Sequence, residues 1–70
     1  MNITSAIIRG SKILRNKFIP SHQLDSEILM AETIKKDRNF ILLNSDSILN
    51  KNDLNYFFRL IEQRSSGSPV

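Results

Sequence analysis

Apolar residues recur along this chain at the spacing of one helix face. Ile3, Ile7, Gly10 and Leu14 fall at i, i+4, i+7 and i+11, with Ala6 and Ile13 beside them. This is the repeat that keeps one side of a helix turned inward. It predicts a first helix over residues 2–17, with Arg9, Lys12, Arg15 and Lys17 on its flanks. Gly10 inside that helix costs about 1 kcal/mol relative to alanine, so it marks a place where another helix crosses closely. Pro20 ends the segment, because the residue before a proline is pushed out of helical geometry.

Ser21 stands where an N-cap belongs, its hydroxyl able to accept an orphan N–H of the next first turn. Leu24, Ile28, Ala31 and Ile34 follow at helical spacing, with Leu29 and Met30 widening the stripe. Asp25 and Glu27 lie near the positive end of this second helix, where a carboxylate contributes about 0.3–1 kcal/mol. Glu32 is placed to pair with Lys35 and Lys36 on an exposed face. Asp37 caps a short third helix, and its run Phe40-Ile-Leu-Leu43 predicts burial on most sides. A short strand shares that pattern; with no partner strand in view, helix is the reading. Asn44 to Ser47 form a turn, and Ser47 to Leu49 are expected to add one helical turn.

Asn50 caps the last helix, with Asp53 at the acid position of a capping box. Leu54, Phe57, Phe58 and Ile61 then give the cleanest amphipathic stripe in the chain. Gly67 fits a C-terminal cap, and Pro69 forbids continuation. The expected architecture is all-α, a compact four- to five-helix bundle without a sheet. Its expected core is Ile7, Leu14, Ile28, Leu29, Ile34, Leu42, Leu54, Phe57, Phe58 and Ile61.

Composition narrows the picture. Seventy residues form one small domain, which buries only about 60% of its unfolded surface. Cysteine is absent, so helix packing must hold the fold without disulfides or thiolate metal ligands. At 40% apolar residues the chain can build a core. The four-residue apolar run is far short of the roughly 20 residues of a membrane span. The first residues lack a basic leader, a long apolar stretch and a small-residue cleavage site, so a cytoplasmic location is expected; a monomer is expected as well. The net charge of +3 suits either a solvated surface or a binding face for an acidic partner.

Candidate chemistry is sparse. One histidine, His22, and no cysteine cannot assemble a zinc site; its place in a first helical turn predicts a surface role. Asp25 and Glu27 are two apart and point different ways on a helix, which excludes a paired acid–base arrangement. No glycine-rich phosphate loop is formed by Gly10 and Gly67. No catalytic, cofactor-binding or metal-binding residue is therefore assigned. A small basic helical module that binds nucleic acid or protein is the alternative, but the last helix offers only Lys51, Asn52 and Asn55 beside the acids Asp53 and Glu62.

The segments Gln23-Leu-Asp-Ser-Glu-Ile-Leu-Met-Ala31, Asp37-Arg-Asn-Phe-Ile-Leu-Leu43 and Leu60-Ile-Glu-Gln-Arg-Ser-Ser-Gly-Ser-Pro-Val70 occur in an order that resembles the N-terminal domain of HemK-type release-factor glutamine methyltransferases. In that family Arg-Leu-Asp-Ala-Glu opens the second helix, an Arg begins the third, and Arg-x-x-Gly-Glu-Pro leads into the catalytic domain. The match spans residues 21–70. Asp25, Arg38 and Arg64 are retained, and a role in tying helix ends together is expected of them ahead of the alternative, partner contact. Gln23 replaces an Arg, Lys35 a Gly and Ser68 a Glu.

The resemblance implies transfer of a methyl group from S-adenosylmethionine to the glutamine of the Gly-Gly-Gln loop of a peptide chain release factor. The family's cofactor loop and its Asn-Pro-Pro-Tyr motif belong to a later Rossmann-like domain and are not in this sequence. Residues 1–66 are therefore expected to be a non-catalytic docking domain and 67–70 the start of a linker to the catalytic domain. For release-factor contact the candidates are Arg9, Lys12 and Arg15 on the first helix and Lys35 and Lys36 at the end of the second.

Overall fold

The computed structural model describes residues 1–66, so the expected cap at Gly67 and stop at Pro69 lie outside the described residues. The helices are α1 (Ile3–Asn16), α2 (His22–Ile34), α3 (Arg38–Leu43) and α4 (Lys51–Ser65). α1 packs on α2 and α4, α2 also on α4, and α3 lies against α2. The chain is all-α, as its periodicity predicts.

The start of α1 is satisfied group by group. The N–H groups of a first turn have no partner within their own helix. Here those of Ile3 and Thr4 donate to the carbonyls of Ser47 and Ser45 at 3.0 and 3.1 Å, and that of Ala6 donates to the carbonyl of Asn2 at 3.0 Å. The N–H of Ser5 donates to Asn2 Oδ1 at 2.7 Å. Ser47 to Leu49 are consequently extended rather than helical: Ile48 forms an isolated bridge with Asn2, and the N–H of Leu49 donates to the carbonyl of Met1 at 3.1 Å. The helical turn expected there is replaced by the segment that caps α1.

Asp37 and Asn50 cap as expected, their side-chain oxygens accepting from Phe40 N–H at 2.8 Å and Asp53 N–H at 2.7 Å. Ser21 does not. It occupies the N-cap position without a side-chain cap bond, and its hydroxyl donates to Asp25 Oδ2 at 3.0 Å. The Ser21 backbone, at φ -89 and ψ 27, is not in the extended conformation that Asn2, Asp37 and Asn50 adopt as caps.

The core contains Ile3, Ala6, Ile7, Leu14, Leu29, Met30, Ile41, Leu49, Phe57 and Ile61, with Ile34, Leu54 and Phe58 partly buried against it. Gly10 is where α1 meets its neighbours. A Cβ built there would lie 2.8 Å from Ile61 Cδ1, 2.8 Å from Ser26 Oγ and 2.9 Å from Phe57 Cζ, closer than real side chains approach. Phe58 stacks edge-on against Phe57, with ring centroids 5.1 Å apart.

Two expected core residues are exposed. Ile28 is 43% exposed because α2 turns a different face inward, namely Ser26, Leu29, Met30 and Thr33. Ser26 fits where Leu or Ile would not: it faces Gly10, and its hydroxyl donates to the carbonyl of Ile7 at 2.7 Å. Thr33 donates back to the carbonyl of Leu29 at 2.8 Å. Leu42 is 70% exposed. α3 is only six residues long and fully buries Ile41 alone, so Phe40 is half-buried and Leu42 and Leu43 face water.

Candidate docking surface

α1 has two distinct faces. Ile3, Ala6, Ile7, Gly10, Ser11 and Leu14 are buried, and this rotation leaves Arg9, Lys12 and Arg15 exposed. Met1, Ser5, Ile8, Arg9 and Lys12 share one shallow concavity, and Lys12, Arg15 and Asn16 share the next. The three candidate cations of α1 therefore form one continuous surface. None of them makes an ion pair among the described residues.

Lys35 and Lys36 lie elsewhere. α1 and α2 run antiparallel, since Ser26 bonds to Ile7 and His22 to Ser11. That register puts Lys35 beyond the start of α1, about 20–25 Å of helix axis from Lys12 and Arg15 at the usual rise. Lys35 sits in the left-handed region at φ 57, and the Lys36 ammonium rests over the Phe40 ring at 5.3 Å from its centroid. These two cations are a separate patch.

The other charges are engaged in holding the fold. Arg38 Nη2 contacts Glu27 Oε1 at 2.7 Å and ties α3 to α2; Arg64 Nη2 contacts Asp25 Oδ2 at 3.1 Å and ties α4 to α2. Asp25 and Glu27 thus answer to different partners, as their spacing on the helix requires. Among the described residues no three potential metal ligands come together.

His22 is not a free surface side chain. It is half-buried, and its Nδ1 lies 2.7 Å from Ser11 Oγ, which pins the start of α2 to α1. A Ser–His contact is half of a nucleophilic arrangement. The acid nearest in sequence, Asp25, is already held by Arg64 and Ser21, and Ser11 is buried. The pair is a packing contact.

Two further residues are exposed next to the α1 cations in the chain, Lys17, which the pattern sets on the flank of the first helix, and Phe18. Charge is unevenly distributed along the chain. Every Asp and Glu lies at position 25 or later, whereas Arg9, Lys12, Arg15 and Lys17 precede it. The positive excess is concentrated in α1 and the turn after it.

Residues 5–70 match the family model described as the PrmC N-terminal domain. The chain is 33% identical over 70 residues to a release factor glutamine methyltransferase of Clostridium botulinum, covering all of this chain and 25% of that relative. It is 30% identical to the protein of the same name from Clostridium acetobutylicum, again over all of this chain and 25% of the relative. A bifunctional methyltransferase of Rickettsia felis is 30% identical over 69 residues, 99% of this chain and 13% of that protein. No solved structure matches significantly. With the family model spanning nearly all of it, the chain belongs to the PrmC N-terminal domain family.

Proposed function

We propose that this chain is the substrate-docking domain of a protein-(glutamine-N5) methyltransferase. Residues 1–66 hold and orient a peptide chain release factor, and residues 67–70 open the connection to a catalytic domain that methylates the Gly-Gly-Gln glutamine. S-adenosylmethionine supplies the methyl group in that domain. Gly10 is not a cradle for that cofactor: the space where its Cβ would stand is held by Ile61, Ser26 and Phe57, so the glycine serves packing.

The observation that carries this reading is the continuous cationic face of Arg9, Lys12 and Arg15, unpaired among the described residues. Such a face attracts an acidic protein surface, and rim charges act mainly on association rate and its salt dependence. Lys35 and Lys36 form a second, smaller patch. The combined variant Arg9→Glu, Lys12→Glu and Arg15→Glu in the full-length methyltransferase is expected to lower kcat/KM for release factor at low salt by about tenfold or more. The loss should shrink as salt screens both proteins. An unchanged kcat/KM at low salt would contradict the assignment.

A nucleic-acid role finds less support. Lys51, Asn52 and Asn55 are exposed at the start of α4, but Asp53 shares that turn, and Phe57 and Phe58 are committed to the core.

A further inference from the structure

We propose that Phe18 is the apolar anchor of the docking surface, inserting into an acidic-rimmed hollow on the partner protein. The inference deepens the release-factor reading and rests on it. Phe18 is 93% exposed, follows Lys17, and stands at the end of a helix whose exposed side bears Lys12 and Arg15. Aromatic residues are enriched at the desolvated centre of interfaces, with charged residues at the rim.

The local fold gives Phe18 no reason to be phenylalanine. The end of α1 is closed by Phe18 N–H donating to the Arg15 carbonyl at 3.0 Å and Ile19 N–H donating to the Leu14 carbonyl at 3.2 Å. This closure needs a left-handed residue between them, a place usually filled by glycine. Phe18 takes φ 61 there, which is costly for a side chain with a Cβ. Ile19, the next residue, supplies the apolar contact to the core. Phe18 thus bears backbone strain and exposes a whole ring to water while contributing almost no burial. A residue that conflicts with its own local structure without a compensating contact is expected at a functional position.

Charge selects the partner. The cations at 9, 12, 15 and 17 precede the first acid in the chain, so the rim complementary to them is acidic. A stack of bases would call for successive exposed aromatics, and Phe18 has no such neighbour on this surface.

Phe18→Gly separates anchor from fold, since glycine accepts the left-handed conformation. In the full-length methyltransferase its melting temperature should equal or exceed that of the parent. KM for release factor should rise about tenfold or more, with kcat unchanged and the salt dependence kept. Phe18→Asn, which also tolerates this backbone, should behave alike, and Phe18→Trp should restore KM. An unchanged KM in both truncated variants overturns the anchor. So does a loss confined to kcat, or weakened RNA binding with release-factor KM intact. If the triple charge reversal raises KM and Phe18→Gly does not, the anchor falls while the docking reading stands; if neither does, the docking reading falls too.

Discussion

α1 and α2 lie side by side yet use their residues in opposite ways. α1 buries an apolar stripe broken only by Gly10 and Ser11, and its exposed cations make no ion pair among the described residues. α2 buries two hydroxyl side chains, Ser26 and Thr33, and leaves Leu24 and Ile28 exposed. Its acids Asp25 and Glu27 are occupied by Arg64 and Arg38 from other helices. The contrast separates charges that hold the domain together from charges available to a partner. α1 and the turn after it contain no acid of their own, although Arg9 lines a concavity together with Glu62 of α4.

The stripe positions of the two helices should therefore answer differently to truncation. Leu14, fully buried in α1, should cost about 2–5 kcal/mol as Leu14→Ala, much of the stability of so small a domain. Equilibrium denaturation measures it. Gly10→Val should follow at about 1–3 kcal/mol, because its branches enter space held by Ile61, Ser26 and Phe57. A valine variant as stable as the parent would mean that α1 does not cross its neighbours this closely.

Lys35→Gly should gain stability, by up to about 1 kcal/mol, because the residue closes α2 at φ 57. A fall in melting temperature would show that the lysine makes a contact worth more than its strain. Ile28→Gln, at an α2 position the hydrophobic pattern assigns to the core, should stay within about 0.5 kcal/mol of the parent. A large loss would restore the apolar stripe of α2 and erase the contrast.

Sequence reading succeeded where one rule governed a site. The stripes of α1 and α4, the caps at Asp37 and Asn50, and the close crossing at Gly10 follow from periodicity, capping and the cost of a mid-helix glycine. It failed where a partner distant in sequence competed. Ser26 is inward because it meets Gly10 and the Ile7 carbonyl. His22 is tethered by Ser11. Ser47 to Leu49 are extended because they complete the start of α1. None of those contacts has a local signature. Of the residues proposed for docking, Arg9, Lys12 and Arg15 adjoin and Lys35 and Lys36 lie apart from them; the left-handed backbone of Phe18 has no signal in the hydrophobic pattern.

A photo-cross-linking residue placed at Lys12, and separately at Lys51 on α4, tests the docking claim most directly. Both positions are exposed lysines, so loss of charge is matched. With purified release factor and the full-length methyltransferase, the probe at position 12 should capture the release factor in a salt-sensitive manner and the probe at 51 should not. Equal capture at both, or capture at 51 alone, would contradict a docking face on α1.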